Sequence, residues 1–283
     1  MRYKKIVIIG MGLIGGSIAK AVMDRGLADE VIGVCRRQSS LDRAVNEKAL
    51  TKGYVNNYEQ AAAGAQLIFI ATPVNTIKKV LDDLAAVLND ARVLVTDVGS
   101  TKSEIVEHAA AYASNFSFVG SHPLAGSEQK GVEFSRPDLF QRSLCVVTRA
   151  EGASEDRIKE LRSLWQALGA KVDVLTPEEH DRRLAFTSHL PHAVAYALSG
   201  AQDASDYDLM STGFADTTRV ASSDPALWND IFMTNRGNVL KAIERFKEVL
   251  SAIEDDIRQG RREELEKKLD ECKRLRDGLV QDD

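Results

Sequence analysis

The sequence predicts an α/β protein, an N-terminal doubly wound parallel sheet joined to a C-terminal all-α domain. Three observations carry that prediction. Short apolar, β-branched runs alternate with helical stretches as far as residue 175. The first run leads straight into glycines at G-x-G-x-x-G spacing, and after Thr176 only helical periodicity remains. Wholly apolar runs mark strands buried on both faces, and their alternation with helices marks a parallel sheet that takes ligand at its carboxyl ends.

The first strand is the run 6–9, Ile-Val-Ile-Ile. Gly10, Met11, Gly12, Leu13, Ile14 and Gly15 follow, and residues 17–23 read as helix. Gly10 permits the tight turn, Gly12 lets the backbone approach a pyrophosphate, and Gly15 lets the helix pack closely on the strand. The helix N-terminus offers N–H groups to phosphate. This is a Rossmann-type nucleotide site, with an ordinary glycine-rich turn as the bland alternative.

The second strand, 31–34, ends in Cys35, Arg36 and Arg37, with Ser39 and Ser40 just beyond. A site preferring NAD carries Asp or Glu about 20 residues past the glycines, to bind the ribose 2′-hydroxyl. Two guanidiniums and two hydroxyls instead suit a 2′-phosphate. The cofactor expected is therefore NADP, with NAD as the alternative.

Residues 42–50 read as helix and 53–55 as a short crossing element. The strand at 67–71 ends in Ala71-Thr72-Pro73, where proline stops it beside the cofactor. An amphipathic helix covers 75–88, a strand 93–96, and Asp97-Val98-Gly99-Ser100 tips that strand, with Gly99 against the cofactor. A helix over 103–112 and the run 116–120 lead into a loop holding His122. Residues 144–148 and 172–175 read as further strands around a helix at 154–168.

Thr176, Pro177 and Glu179 then form a capping box with proline at the first helical position. The boundary falls there: 1–176 for the nucleotide-binding domain, 177–283 for the helical one. Asp224-Pro225 repeats the cap-and-proline signal. Ile243, Phe246, Leu250, Ile253 and Ile257 make one stripe, as in a core or a subunit interface. Residues 261–276 are densely charged and read as a solvated helix.

A net charge of −5 argues against nucleic acid as a partner. Three cysteines, far apart and without C-x-x-C, supply neither a disulfide framework nor a zinc site. No run approaches the roughly 18 apolar residues that span a bilayer, and the apolar N-terminus lacks a cleavage site for export. A cytoplasmic protein is expected.

Of the five histidines, His108 reads as surface and His180 as structural. His122 lies in the cofactor domain, and an imidazole titrating near neutrality suits accepting a hydroxyl proton as hydride leaves the same carbon. Ser100 could bond the same hydroxyl or cap a helix. His189 and His192 share a helix face, but H-x-x-H lacks the spacing of helical zinc sites, so no metal is expected. Pro191 between them should kink the helix. Arg219 sits in a glycine- and threonine-rich break, as a carboxylate clamp or a partner of Asp216.

Together, Gly10 to Gly15, Ala71 to Val74, Asp97 to Lys102, Ser121 to Glu128, Ser188 to Ala193 and Phe214 to Pro225 resemble the prephenate/arogenate (cyclohexadienyl) dehydrogenase family of tyrosine biosynthesis. The resemblance implies oxidative decarboxylation of a ring bearing a carboxylate and a C4 hydroxyl, with hydride passing to the nicotinamide. It implies His122 as base or hydrogen-bond acceptor, assisted by Ser100, and Arg219 on a substrate carboxylate. It places His192, His189 and Gly213 at the side-chain end and Glu128 at the rim. It implies a homodimer through the helical domain, with Asp216 and Trp228 reaching the partner's site, and possible inhibition by tyrosine. Prephenate and arogenate stay open as substrates. The alternatives are a β-hydroxyacid dehydrogenase, for which no lysine stands between Pro177 and Ala201, and a non-catalytic NADP-sensing protein.

Overall fold

The computed structural model of the chain describes residues 2–126, 129–150 and 152–278. Strands and helices alternate from the start: β1 (Tyr3–Ile9), α1 (Leu13–Asp24), β2 (Ala28–Cys35), α2 (Gln38–Asn46), β3 (Lys52–Val55), α3 (Tyr58–Ala62), β4 (Leu67–Ile70), α4 (Val74–Ala85), β5 (Leu94–Asp97), α5 (Ser103–Ala110) and β6 (Ser117–Phe118). The strands form one sheet in the order β3-β2-β1-β4-β5-β6, every pair parallel. The stretch 53–55, expected as a crossing element, is part of the edge strand β3.

The all-apolar β1 run follows from this arrangement. Ile6 and Ile8 point into one core with Ile18 and Val22 of α1, while Val7 and Ile9 point into the other with Ile77 and Leu81 of α4. Both faces are covered, so neither register position tolerates a polar side chain. Chain direction across the sheet switches between β1 and β4. A crevice therefore opens at their carboxyl ends, beside Gly10 and Ala71.

The later strands depart from the expected continuous sheet. β7 (Ser121–Pro123), β8 (Leu144–Thr148) and β9 (Lys171–Leu175), with α6 (Glu155–Ala167) between the last two, form a separate three-stranded sheet. β7 runs antiparallel to β8, and β8 parallel to β9. β6 is only two residues long, and beyond it the Thr148 N–H bonds the Gly120 carbonyl at 2.9 Å, turning the chain into the new sheet. His122 thus sits in a strand opposite Val146, not in a loop.

Helices follow: α7 (Pro177–Leu184), a π-helical turn (Ala185–His189), α8 (Leu190–Gly200), a 3₁₀ turn (Ala204–Leu209), α9 (Thr212–Thr218), a 3₁₀ turn (Arg219–Ser222), α10 (Pro225–Thr234), α11 (Arg236–Gln259) and α12 (Arg262–Gly278). Thr176 caps α7, its Oγ1 accepting from Glu179 N at 3.1 Å. The wide turn comes just before Pro191, whose missing N–H breaks the regular ladder.

The chain forms two compact units, Met1–Asn235 and Arg236–Asp283. In the first, α10 packs on α4, Thr101 Oγ1 donates to Thr234 Oγ1 at 3.0 Å, and Asp181 of α7 caps α5. In the second, α11 and α12 are tied by Asp256, which pairs with Arg261 at 2.7 Å and Lys268 at 2.5 Å. Leu250 and Ile257 on the stripe of α11 are 51% and 63% exposed. Among the described residues, no helix is long and apolar enough to cross a membrane.

Candidate active site

At the switch point a cleft of about 1130 Å³ runs from Gly10 and Gly12 to the end of β2. Gly10 has φ +97°, and a Cβ there would lie 2.5 Å from the Ala71 carbonyl oxygen. A Cβ on Gly15 would lie 2.0 Å from the Gly10 carbonyl oxygen, so both positions exclude any side chain. Nothing approaches within 4 Å of the Cβ position on Gly12, which leaves open space where backbone must meet phosphate. Helix α1 has no side-chain cap and no acid in its first turn, so its N–H groups and dipole face the cleft uncompensated. Thr72, lining the same cleft, holds a buried Oγ1 without a hydrogen-bond partner among the described residues. These features fit a dinucleotide.

At the far end the cleft is lined by Arg36, Arg37, Ser40 and Arg43, and none of these arginines forms an ion pair among the described residues. The Asn56 side chain, on a residue with φ +47°, donates to the Arg36 carbonyl at 3.1 Å and fixes the turn after β2. Burial pushes the Cys35 thiol above its ordinary range.

A second cluster is built around α7. His122 Nδ1 lies 2.9 Å from His180 Nε2, and His180 Nδ1 lies 2.8 Å from Asp181 Oδ1. The Asp181 carboxylate also accepts from Lys102 N at 2.8 Å and Ser103 N at 2.9 Å. Asn235 Nδ2 donates to the Asp181 carbonyl at 2.7 Å and lies 3.2 Å from His189 Nδ1. His189 and His192 both contact Trp228, the first edge-on and the second stacked. His192 Nδ1 is 3.0 Å from the Ser188 carbonyl. One continuous set of contacts thus runs from the sheet domain's His122 to His192 of α8.

Electrostatics keep the histidines of this cluster neutral. Burial, and then the neighbouring His180, Lys102 and His189, hold His122 well below the ordinary histidine range. Burial lowers His180 against the pull of Asp181, and lowers His189 to about 4. His192 is lowered by burial and by the positive charge of Arg219. Burial works against the Asp181 carboxylate, but hydrogen bonds from His180 and Ser103 outweigh it and hold the group below its usual range. Beneath the cluster Lys102 is wholly buried, paired with Asp97 and donating to the Ser121 carbonyl at 2.9 Å. A buried ammonium alone would cost several kcal/mol; this pair offsets that cost and pins the residue preceding His122.

The chain matches the family model "Prephenate dehydrogenase, nucleotide-binding domain" over residues 18–185 and "Prephenate dehydrogenase, dimerization domain" over residues 176–271. It is 33% identical to the prephenate dehydrogenase of Bacillus subtilis over 97% of this chain and 76% of that one. The chain belongs to the prephenate dehydrogenase family. Among solved structures of that family it is similar to the Aquifex aeolicus prephenate dehydrogenase in complex with hydroxyphenyl propionate and NAD+. The TM-score is 0.91 and the identity 31%, with 99% of each chain covered. The Synechocystis arogenate dehydrogenase gives a TM-score of 0.84 at 32% identity, covering 98% of this chain and all of that one. The protein is an NAD(P)-dependent oxidoreductase with a Rossmann-type nucleotide domain and a helical dimerisation domain.

For this family member the sequence-derived site divides as follows. Gly10, Met11, Gly12, Cys35, Arg36, Arg37, Ser40, Ala71, Thr72 and Pro73 all line the cleft. Leu13, Ile14 and Gly15 lie in α1 behind it, Ser39 is exposed on α2, and Gly99 is buried against Asp97 and Ile77. Ser100 is half-buried before α5 and does not cap it; Asp181 does. Gly213 and Asp216 are exposed on α9, and Arg219 is exposed in the following 3₁₀ turn, which packs on α8. Glu128 lies outside the described residues. Trp228, expected to reach a partner's site, is buried in this chain against His189 and His192.

His180, expected to be structural, touches His122 directly. Lys102, Asp181, Asn235 and Arg43 were missed. Lys102 carried a signal, a lysine one turn after a strand-tip Asp; the others depend on contacts remote in sequence.

Proposed function

We propose that this family member oxidatively decarboxylates prephenate or arogenate, using NADP in preference to NAD. What supports the reading is the connected cluster from His122 through His180 to His189 and His192, in the same unit as the dinucleotide cleft. The bound nicotinamide would take up the hydride lost from C4 of the ring. His122 accepts the hydrogen bond of the C4 hydroxyl and carries positive charge as it develops on that oxygen; Ser100 assists from the neighbouring strand end. The bond from ring to carboxylate breaks, carbon dioxide leaves, and its electron pair completes the aromatic ring, with the shared proton back on the phenolic oxygen. No metal is needed for this balance.

Arg219 grips a substrate carboxylate, and His192, His189 and Gly213 meet the side chain, with Trp228 behind the two imidazoles. Asp216 stands at the rim. Arg36 and Arg37, joined by Ser40 and Arg43, receive the ribose 2′-phosphate, which guanidinium binds bidentately; Gly99 and Ser39 are accessory. The two functional parts divide after residue 176, and the half-exposed stripe of α11 forms the homodimer seam. Inhibition by tyrosine at the substrate site and a reducing, cytoplasmic setting complete the proposal, the latter supported by three free cysteines.

The test is a steady-state assay of prephenate or arogenate against NAD or NADP, followed by reduced-nucleotide absorbance. Turnover with NADP ahead of NAD is the expected result. No reduction in any of the four combinations would favour the sensing protein.

A further inference from the structure

We propose that His180 and Asp181 are positioning residues that decide which nitrogen of His122 carries its proton, presenting Nε2 as a bare acceptor to the substrate. The inference rests on the reading of His122 as that acceptor, and it follows from donor and acceptor accounting along three side chains.

The Asp181 carboxylate takes two backbone N–H donors from the start of α5, at 2.8 and 2.9 Å. An ionised carboxylate has no proton to give, so the 2.8 Å contact with His180 requires a proton on His180 Nδ1. Burial keeps His180 neutral. Its Nε2 is then a lone pair, and the 2.9 Å contact with His122 requires a proton on His122 Nδ1. Neutral His122 therefore has its lone pair on Nε2, where no hydrogen bond is made among the described residues. The opposite tautomer would set two lone pairs against each other, either between the histidines or between His180 and Asp181.

The same residue orders the second histidine in the reverse sense. Asn235 Nδ2 must be nitrogen, because it faces the Asp181 carbonyl at 2.7 Å. Its other hydrogen faces His189 Nδ1 at 3.2 Å, so His189 holds its proton on Nε2 and is a donor. One imidazole is thus set to accept from a hydroxyl and another to donate to a carbonyl or carboxylate oxygen, both through Asp181. Lys102 and Asp97 are the charged groups beneath His122, and neither touches the ring nitrogens among the described residues.

When the hydroxyl proton is shared with Nε2, the Nδ1–H of His122 still points at the His180 lone pair, so developing positive charge is met by an acceptor already in place. No reorganisation is required.

The experiment uses full-length protein with ¹⁵N-labelled histidine, assigned by single histidine variants. Wild-type His122 is expected to show a protonated Nδ1 and a bare Nε2. His180→Leu should lose that preference and lower kcat by about 10²-fold with nucleotide affinity unchanged. His180→Gln, whose amide oxygen can still accept from Nδ1–H, should recover at least about tenfold of that loss. A purely structural His180 would not separate these two variants or move the His122 signal. A proton on Nε2 of wild-type His122 overturns the proposal whatever the kinetics of the His180 variants. So does a His180→Leu protein that binds nucleotide and keeps kcat within about twofold. The tautomer is read without turnover. A protein inactive in all four assays would thus sink the substrate reading alone, and an active one with Nε2 protonated would sink this inference alone.

Discussion

His192 lies flat on the indole of Trp228, ring centroids 3.4 Å apart and planes 22° from parallel. The imidazole also donates from Nδ1 to the Ser188 carbonyl, 3.0 Å away, so both its plane and its rotation are fixed. Trp228 itself is 7% exposed and sits in α10, whose start is capped by Asp224.

Trp228→Leu should therefore act on His192 without touching the nucleotide. Loss of the buried indole is expected to cost about 2 kcal/mol of stability, and KM for the ring substrate should rise about tenfold with kcat changing less. Urea unfolding and steady-state kinetics check both halves. A fall in nucleotide affinity would contradict the separation of the two sites.

Depressed histidines fix the sign of the pH response. His122 must be neutral to accept, and burial holds it well below 6.5. The acid limb of kcat/KM should accordingly lie well under pH 6.5, and a limb at or above that value would remove His122 from the acceptor role. Stability runs the same way. His189 is about 4 folded and near 6.5 unfolded, so the unfolded chain binds more protons between those values. Stability is full above pH 6.5 and falls by about 3 kcal/mol for this group as pH drops to 4, measurable by denaturation at both pH values.

What the sequence made legible was local. Ile6 to Ile9, the glycine spacing and the Thr176 cap each encode their geometry within a few residues, and each formed as patterned. The cluster was only partly legible. His122 and His192 stood out by context, but His180 meets His122 across 58 residues and Asp181 caps α5 across 78 and 79. No periodicity encodes such pairs. The antiparallel pairing of β7 with β8 was hidden for the same reason, and it is what moves His122 from a loop into a strand.

Lys102 and Asp97 give a stability prediction. Removing one member of a fully buried pair strands the other, at a cost of about 3–5 kcal/mol. Lys102→Met should lower stability by that amount, while Lys102→Met with Asp97→Leu should regain much of it. Equal destabilisation in the single and double variants would mean that the pair contributes through packing and not charge.

At the nucleotide end, Arg36→Asp recreates the acid that NAD-binding strands carry, and it should repel a 2′-phosphate. Losing one charge-assisted contact of about 1.5–3 kcal/mol predicts a shift of about 10- to 100-fold in the NADP/NAD ratio of kcat/KM. Arg43→Ala, one turn along α2 in the same cleft, should shift it in the same direction by less. An unaltered ratio in both would clear this basic edge of 2′-phosphate recognition.

Arg219 separates binding from chemistry. Its charge is felt at His192, which it helps hold below the ordinary histidine range, and its 3₁₀ turn packs on the helix that carries His192. A clamp on a carboxylate that stays unchanged until late in the reaction binds ground state and transition state alike, so Arg219→Ala should raise KM by about 10- to 100-fold and leave kcat within a few-fold. Arg219→Lys, a point charge without the bidentate fork, should fall between the two. A collapse of kcat at unchanged KM would instead assign the guanidinium to the departing carboxylate, where charge changes during the chemical step.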